Sequence, residues 1–318
     1  MVAETILDVR DLSIGFPIGE SHERLEVRGV DLQIRTGEIV AVVGESGSGK
    51  SLTALACLGL IPEPGRLVSG SVRAFGIDVW SAARPELERL RGGRIGIVFQ
   101  EPEAALNPVF TIGFQIAEAF ATHRPTLSDR RKAVLRLLEE VAVPDPERVA
   151  ACYPHQLSGG LAQRAMIALA LAGEPGLLIA DETTTALDSI RRAQILELLK
   201  SLAAKREMAV MMITHDISIV GTVAERSLVF LNGQVVEEAP TSILLENSRH
   251  PYSACLVGTL PTEPFQAAGG RENDPTGCSY ADRCPFAEDD CRNTPPALLP
   301  IDESHAVRCP PRARNGRS

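Results

Sequence analysis

The chain has 318 residues, a length typical of about two domains, and its 44% hydrophobic and 23% charged residues are ordinary for a soluble globular protein. A formal net charge of -9 argues against a dedicated nucleic-acid-binding protein, because such proteins usually carry a basic excess. The N-terminal sequence "MVAETILDVRDL" contains acidic residues and lacks an apolar core, so it does not predict a secretory signal. The longest uncharged apolar run, residues 52–61, falls well short of the roughly 20 residues that span a bilayer. We therefore expect a cytosolic chain, in which stable disulfides are rare.

Short apolar runs predict the strands of the core. Residues 6–43 contain several short strand-like runs with turns between them, ending in "EIVAVV", the pattern of a parallel strand buried on both faces. The runs "RIGIVF", "GLLIAD" and "AVMMIT" repeat this pattern further along the chain. Segments with helical periodicity, such as "RRKAVLRLLEEVAV" and "RRAQILELLKSLAAKRE", lie between them. Strands alternating with helices indicate an α/β fold with a mainly parallel sheet.

Composition divides the chain further. Residues 101–165 lack a strand-like run and predict a helical subdomain. After His250 the composition shifts to Pro, Gly and Cys, which is typical of irregular structure. We therefore expect one domain over residues 1–250 and a separate irregular segment over residues 251–318.

A phosphate-binding pattern follows the first buried run. "GESGSGKS", at residues 44–51, matches G-x-x-x-x-G-K-S and stands between a predicted strand and a predicted helix. Glycines at such a turn let backbone N–H groups and the helix N-terminus approach phosphate oxygens. Lys50 is expected to reach the β- and γ-phosphates, and Ser51 to bind magnesium. The pattern predicts a nucleoside triphosphate site.

Two further motifs narrow the class of protein. "LLIADE" ends a buried run with Asp181 and Glu182, where one carboxylate can hold the magnesium shell and the next can polarise an attacking water. "LSGGLAQR" places Ser158, Gly159 and Gly160 directly before a helix, which predicts a capped, anion-binding helix end. Two chains packed head to tail about a twofold axis would use both this helix end and the phosphate loop, each capping the other's triphosphate.

These motifs carry a family resemblance. Together with Gln100 after "RIGIVF", "TALD" at residues 185–188 and His215 after "AVMMIT", they occur in the order found in ATP-binding cassette (ABC) ATPases, which residues 1 to about 240 resemble. "FQEPEAALNP", "ADETTTALD" and "HPYSACLVGTLP" are more narrowly similar to the ATPase subunits of oligopeptide/dipeptide importers. The resemblance implies a P-loop NTPase fold with an N-terminal antiparallel β part, a helical subdomain and bound ATP with Mg²⁺.

The resemblance also implies roles for individual residues. Glu182 would be the general base, His215 the γ-phosphate switch, Asp181 a water-mediated magnesium ligand, and Gln100 a second magnesium contact that senses the membrane partner. Phe16 would stack on adenine. The loop residues contacting the nucleotide would be Gly44, Glu45, Ser46, Gly47, Ser48, Gly49, Lys50, Ser51 and Leu52. The residues acting across a dimer would be Ser158, Gly159, Gly160, Gln163 and Asp188, the last by communication between the two sites.

Two positions depart from the family pattern. Thr183 stands where the family usually has proline, and Leu161 with Ala162 replaces a Met–Arg or similar pair. Neither change removes a reacting group, so we expect the chain to contribute intact elements to both sites of a dimer.

Four cysteines near the C-terminus, Cys278, Cys284, Cys291 and Cys309, have the spacing C-x5-C-x6-C-x17-C. Four thiolates in a cytosolic protein suit zinc or an iron–sulfur cluster. The gaps exceed those usual for structural zinc, and this spacing together with the family resemblance ranks a cluster first, zinc second and unligated thiols third. The resemblance to peptide importer ATPases, including "RCPFA" and "TPPALLP", implies a 4Fe–4S cluster. His305 is a conceivable substitute ligand, and Cys57, Cys152 and Cys255 are expected to be ordinary small hydrophobic residues.

The resemblance implies partners as well. These are two integral-membrane permease subunits docked near residues 104–110, a second ABC ATPase subunit, identical or different, and an extracytoplasmic substrate-binding protein. The expected location is the cytoplasmic face of the cell membrane, as a peripheral subunit without nucleic acid. The alternative cargo is another solute such as nickel. The alternative class is an ABC-type ATPase acting on DNA or ribosomes, but those proteins carry long coiled coils or a second cassette. This chain has about a hundred residues without heptads between its two motifs, and one cassette.

Overall fold

A computed structural model describes residues 3–19, 22–182, 189–260 and 277–314 of the chain. By their contacts the residues form two units, each discontinuous in sequence. Unit 1 comprises the described residues of Met1–Leu7, Ile34–Ile39 and Arg73–Ile213, and unit 2 those of Asp8–Gln33, Val40–Val72 and Thr214–Ser318. The domain boundary expected at residue 250 stays a prediction.

The strands, in chain order, are β1 (Thr5–Ile18), β2 (His22–Arg35), β3 (Ile39–Gly44), β4 (Arg66–Ala74), β5 (Ile77–Asp78), β6 (Ile95–Val98), β7 (Leu177–Asp181), β8 (Ala209–Thr214), β9 (Arg226–Leu231), β10 (Gln234–Pro240), β11 (Leu299–Pro300) and β12 (Ala306–Val307).

The α-helices are α1 (Lys50–Ala56), α2 (Arg84–Leu90), α3 (Pro102–Ala105), α4 (Ile112–His123), α5 (Arg130–Glu140), α6 (Pro146–Ala151), α7 (Gly159–Leu171), α8 (Ser189–Arg206), α9 (Ile217–Val220), α10 (Thr241–Asn247), α11 (Pro251–Val257), α12 (Asp289–Asn293) and α13 (Pro310–Arg314). Pro154–Gln156 and Ala281–Arg283 form short 3₁₀ turns.

The core of unit 1 contains three parallel strands in the order β6-β7-β8. β8 is buried along its whole length, and β7 is buried up to Asp181, which is partly exposed. Apolar runs buried on both faces are typical of parallel strands covered by helices. The sequence prediction of these strands is therefore confirmed.

In unit 2, five strands of the larger sheet lie in the order β11-β12-β10-β9-β3. β3 is fully buried and pairs in parallel with β9, whereas β9 with β10, β10 with β12, and β12 with β11 are antiparallel. The antiparallel strands on this side make the sheet mixed, although the predicted parallel strands are present. β11 and β12 lie beyond residue 277, so the C-terminal segment adds strands to the sheet.

The N-terminal region differs from the prediction of several short strands. It forms two strands of 14 residues each, β1 and β2, within a four-stranded sheet of order β2-β1-β4-β5. β1 stays continuous although Arg10 and Asp11 are both exposed and Asp11 has a φ of 45°. A non-glycine residue at positive φ is uncommon, and in the sequence this irregular point resembles a turn between two shorter strands.

The predicted helical subdomain is present. Between β6 and β7, where every residue is described, the regular elements are the helices α3 to α7 and one 3₁₀ turn. Thr111, Asp129 and Asp145 cap α4, α5 and α6, each accepting a hydrogen bond from a backbone N–H in the first turn. Across the described part of the chain, no helix combines the length and apolar character needed to cross a membrane.

Candidate active site

The phosphate loop connects β3 to α1 in unit 2. A side chain at Gly44 would collide with the carbonyl oxygen of Phe230 on the neighbouring strand, so the close packing of the loop against β9 requires glycine there. Gly49, directly before α1, has a φ of 96°, a left-handed conformation that glycine adopts without strain. The spacing of glycines in the sequence is therefore explained by one close approach and one special backbone conformation.

Lys50 lies buried inside the loop. Its Nζ donates hydrogen bonds to the carbonyl oxygens of Gly44, at 2.9 Å, and Glu45, at 2.7 Å. The backbone N–H of Ser48 also donates to the Glu45 carbonyl, at 3.2 Å. The ammonium group is thus held at the centre of the loop, where a predicted phosphate-binding lysine must stand. Ser46 and Gly47 are exposed, Ser51 and Leu52 are half-buried, and Ser48 is buried.

Glu182, the predicted base, follows β7 in unit 1. Its Oε2 accepts a hydrogen bond of 3.0 Å from the side-chain amide of Gln100, and its backbone N–H donates to the Ile213 carbonyl. Its φ of 44° is a left-handed conformation that costs a non-glycine residue of the order of 1 kcal/mol and recurs at active sites. The structure therefore brings Gln100 and Glu182 together, and the Gln100 amide oxygen remains the atom suited to magnesium.

The predicted second anion site lies at the start of α7 in unit 1. Ser158 occupies the N-cap position as expected, but its side chain makes no capping hydrogen bond. A Cβ added at Gly159 or Gly160 would meet nothing within 4 Å, so the helix end is open. Gln163 is buried, and its Nε2 has no hydrogen-bond partner among the described residues. A buried amide does not reach a second chain in this conformation, and the role of Gln163 across a dimer stays a prediction.

The remaining candidates are distributed over both units. His215 follows β8 and is exposed, in unit 2. Phe16 is half-buried on β1, and its ring lies so close to Gly65 that a Cβ there would be 2.5 Å from Phe16 Cζ. Adenine stacking by Phe16 stays a prediction. Asp188 and Thr183 lie outside the described residues.

Sequence reasoning missed a contact between the phosphate loop and the C-terminal part of unit 2. The backbone N–H of Glu45 donates to the hydroxyl of Tyr252, at 2.9 Å, and the Glu45 carboxylate forms an ion pair of 3.1 Å with Arg283. Tyr252 lies in α11, and Arg283 lies directly before Cys284. These residues are 207 and 238 positions from Glu45, and no local pattern in the sequence signals the pairing.

The four C-terminal cysteines are free thiols, each half-buried. Burial raises the pKa of Cys278 and of Cys284, and raises the pKa of Cys309 to about 11. The other cysteines raise the pKa of Cys278 and of Cys309 by a smaller amount than burial does, through charge repulsion. Over the described ranges, however, no three His, Cys, Asp or Glu side chains are placed closely enough to hold a metal ion.

His305, a conceivable ligand in the sequence, has another partner. Its Nε2 lies 2.8 Å from Oε1 of Glu237, and both side chains are buried. The same carboxylate accepts hydrogen bonds from the backbone N–H groups of Arg249, at 2.6 Å, and His250, at 2.8 Å. The expectation that His305 could replace a cysteine ligand is wrong in this structure, because its ring instead fixes the C-terminal segment to β10.

The other three cysteines differ from one another. Cys57 is fully buried, and burial raises the pKa of its thiol to about 12, as expected for a small hydrophobic residue. Cys152 is half-buried. Cys255 does not fit that description, because its Sγ lies 3.2 Å from the hydroxyl of Tyr280, in the cysteine-containing segment.

An exposed apolar patch in the helical subdomain overlaps residues 104–110, which are predicted to dock a membrane partner. Val109, Phe110 and Phe114 are 69%, 42% and 47% exposed. The two phenylalanine rings stack at a centroid distance of 4.7 Å, and the Gln115 amide holds the turn by donating to the carbonyls of Asn107 and Phe110. Exposed aromatic groups on an ordered turn are typical of interaction surfaces.

Two family models match the chain. The model of the ABC transporter family matches residues 27–185, and the model described as the C-terminal region of oligopeptide/dipeptide transporters matches residues 236–291. The first range contains the phosphate loop, Gln100, the start of α7 and Glu182. The second contains Tyr252 and three of the four clustered cysteines.

Curated relatives match along nearly the whole chain. The dipeptide transport ATP-binding protein DppD of Haemophilus influenzae is 42% identical over 314 residues, covering 96% of this chain and 94% of that protein. DppD of Escherichia coli is 41% identical over 314 residues, with 96% of both chains covered. The oligopeptide transport ATP-binding protein OppD of Mycobacterium tuberculosis is 41% identical over 318 residues, which make up 51% of that longer protein.

Solved structures share the fold. The dimeric post-hydrolysis state of the ATP-binding cassette MJ0796, bound to ADP and Pi, matches with a TM-score of 0.65 and 32% identity over 74% of this chain and 98% of that one. The structure of cbiO1 from Clostridium perfringens, part of the transporter complex cbiONQ, matches with a TM-score of 0.65 and 27% identity over 77% and 92% of the two chains. These likenesses confirm the predicted α/β P-loop fold with its helical subdomain.

Proposed function

This chain belongs to the ABC transporter family of ATPases, and on that premise we propose that it energises the import of oligopeptides or dipeptides through separate permease subunits. One observation carries the choice of cargo. The match to the C-terminal region of oligopeptide/dipeptide transporters lies on the same chain as the ATP-binding match, and full-length relatives named for dipeptide transport cover both. The ATP-binding match by itself indicates no cargo.

Uptake in cells tests this proposal. A strain lacking the chain is complemented with the wild-type protein or with Lys50→Ala, and uptake of labelled di- and oligopeptides and of nickel is measured. We expect peptide uptake to depend on the chain and on Lys50, with nickel uptake unchanged. Loss of nickel uptake alone would indicate that nickel is the cargo. Normal peptide uptake in the deletion strain would refute the proposal.

For the chemistry, we propose that Lys50 and Ser51 hold the phosphates and magnesium, while Asp181 binds magnesium through water. Glu182 acts as general base, and His215 contacts the γ-phosphate. The hydrogen bond from Gln100 to Glu182 supports these assignments, because it fixes the orientation of the carboxylate. A base must be held within hydrogen-bond reach of its water to act, and a strained, hydrogen-bonded carboxylate is pre-organised for that.

A second ATPase subunit completes the proposed site. Ser158, Gly159, Gly160 and Gln163 act on the ATP of the partner, which is an identical or a different subunit, and Asp188 communicates between the two sites. The open end of α7 supports this, because its N–H groups remain accessible to an anion from outside the chain. The measurement is the oligomeric state of a Glu182→Gln protein with and without Mg-ATP, and a monomer under both conditions would contradict the dimer.

Two permease subunits are the proposed membrane partners, and the patch formed by Val109, Phe110 and Phe114 is the proposed contact. In this proposal the chain lies on the cytoplasmic face of the membrane, and the full complex also includes an extracytoplasmic binding protein. Phe110→Asp should abolish co-purification with the permeases. Val68→Asp, at an exposed apolar residue of β4, is the matched control and should not.

For the clustered thiols we propose a 4Fe–4S cluster held by Cys278, Cys284, Cys291 and Cys309, with zinc as the alternative. Four free, half-buried thiols are donors of the kind that iron–sulfur clusters and zinc bind. The wide spacing of the four cysteines in the sequence favours a cluster, which has a larger core, over a single metal ion. Such a group would link residues 278–291 to Cys309 within the C-terminal region.

Anaerobic purification tests this assignment. About four irons and four sulfides per chain with a broad visible absorption would support the cluster. One zinc without colour would support the alternative, and no metal would refute both. Cys291→Ser should lower the metal content, whereas Cys152→Ser, in the helical subdomain, should leave it unchanged.

A further inference from the structure

We propose that Tyr252 and Arg283 are positioning residues for the phosphate loop, so that the packing of the C-terminal cysteine segment, residues 277–314, sets the affinity of the chain for Mg-ATP. The proposal rests on the ATP-binding function of the family. It requires neither the metal proposed for the cysteines nor the peptide cargo.

The first step concerns Glu45, the second residue of the phosphate loop. Three parts of this one residue are held at once. Its N–H donates to Tyr252, its carbonyl accepts from Lys50 at 2.7 Å, and its carboxylate pairs with Arg283. The Glu45 N–H and the Gly44 carbonyl belong to one planar, stiff peptide unit, so a shift of the N–H that Tyr252 holds moves the Gly44 carbonyl, which accepts a hydrogen bond of 2.9 Å from Lys50. The position of Tyr252 and Arg283 is therefore transmitted to the phosphate-binding lysine.

The second step concerns how the cysteine segment holds these two residues. The Arg283 guanidinium lies over the ring of Tyr280, at 5.0 Å from the centroid, and at 5.9 Å from that of Tyr252. The rings of Tyr252 and Tyr280 pack against each other at 5.6 Å. Arg283 directly precedes Cys284, so an ordered cysteine segment fixes both the ion pair and the aromatic contacts.

The third step ranks the two contacts. The Tyr252 hydroxyl is buried, and a buried hydrogen bond to a backbone N–H retains most of its strength. The side chains of Arg283 and Glu45 are 32% and 33% exposed, so water weakens their ion pair. We therefore expect Tyr252→Phe, which removes one oxygen atom, to raise the Kd for Mg-ATP by about three- to tenfold. Arg283→Ala should raise it by about two- to threefold.

Thermodynamic linkage supplies an independent prediction. If an ordered cysteine segment strengthens ATP binding, bound ATP must stabilise the cysteine segment by the same factor. Hydrogen exchange of peptides from residues 277–314 should therefore slow when a non-hydrolysable ATP analogue binds. In Tyr252→Phe and Arg283→Ala this slowing should be smaller.

The experiment uses the full chain, with metal content recorded, and measures Kd for the analogue by calorimetric titration and KM and kcat for ATP. Tyr280→Phe is the matched control for Tyr252→Phe, because its hydroxyl contacts Cys255 and its ring is kept. Arg292→Ala, at an exposed position of α12, is the control for Arg283→Ala. Arg283→Lys retains the positive charge and should restore most of the affinity.

We expect Kd and KM to rise in Tyr252→Phe and Arg283→Ala by more than kcat falls, with both controls near the wild-type values. Unchanged Kd in Tyr252→Phe would overturn the proposal. If Tyr252→Phe folds poorly, the Arg283 variants and hydrogen exchange of the wild-type protein test the proposal instead. Hydrogen exchange of residues 277–314 that does not change when the ATP analogue binds would overturn the proposal. Peptide uptake is measured separately, so failure of the proposed cargo would not be confused with failure of this coupling.

Discussion

The Glu237→Gln substitution tests how the C-terminal segment is held on the sheet. The Glu237 side chain is 0% exposed and accepts three hydrogen bonds, from the N–H groups of Arg249 and His250 and from His305 Nε2. Glutamine has nearly the same shape but replaces one acceptor oxygen with an NH₂ donor. The substitution therefore changes hydrogen bonding and charge while leaving the packing volume almost constant.

The hydrogen bonds of the Glu237 carboxylate determine how much stability the substitution should remove. Arg249 and His305 both bond Oε1, and His250 bonds Oε2. The better orientation of glutamine keeps its oxygen at the Oε1 position and turns its NH₂ toward the N–H of His250. Two donors then oppose each other in a buried site, and each unsatisfied donor costs about 1–3 kcal/mol. The other orientation leaves two protein donors without their acceptor, so we expect a loss of about 2–4 kcal/mol.

The matched control is Glu238→Gln, one position along β10. The Glu238 carboxylate is partly exposed and pairs with Arg226, so its replacement should cost less than about 1 kcal/mol. Urea unfolding gives the overall change, and hydrogen exchange of peptides covering β10 to β12 shows whether the loss is local to the C-terminal strands. A Glu237→Gln protein as stable as Glu238→Gln would refute the reasoning from buried donors.

Three further outcomes follow from the site and its surroundings. Glu182→Gln should still bind Mg-ATP but lose about 10²–10⁴-fold in hydrolysis rate, measured as single-turnover phosphate release, and wild-type turnover would exclude Glu182 as the base. Lys50→Ala should weaken binding of an ATP analogue by about tenfold or more in a titration, because it removes a buried ammonium group that also holds two loop carbonyls. Unaltered affinity would contradict the role of Lys50 in phosphate binding. His250 caps α11, because its Nδ1 accepts a hydrogen bond from the N–H of Tyr252. Burial lowers the pKa of His250 from 6.5 to about 4. The charge of Glu237 opposes this shift, and the charges of Arg312 and Arg308 add to it. As the pH falls, the unfolded chain therefore protonates His250 before the folded chain does, and the free energy of unfolding should fall by about 3 kcal/mol between about pH 6.5 and pH 4. His250→Asn keeps the helix cap and should lack this loss of stability. Equal pH dependence of the two proteins in urea unfolding would refute the prediction.

Much of the fold follows from the sequence because its signals are local. The buried strands β3, β7 and β8 are uninterrupted apolar runs, and the phosphate loop combines a strand, glycines and a helix start within a short stretch. The helices between β6 and β7 carry capping residues and helical periodicity. Each of these features is determined by neighbouring residues.

The rest could not be predicted because its causes are distant in sequence. The length of β1 depends on its position between β2 and β4 in the sheet, whereas its own sequence shows an exposed, irregular point at Asp11. The contact of Glu45 with Tyr252 and Arg283 joins residues more than two hundred positions apart. His305 looked like a spare metal ligand because the sequence does not show that a buried carboxylate, Glu237, lies beside it.

The C-terminal strands also have a consequence for self-association. β10 would present unpaired backbone groups at the margin of the sheet, but Val307 and Ala306 pair with Glu237 and Glu238 and occupy them. The outermost strand, β11, is two residues long and ends in Pro300, which has no N–H to offer another chain. A short, proline-terminated edge of this kind protects a sheet from pairing with a second molecule. Cleavage that releases residues 277–314 should therefore turn β10 into a template for aggregation.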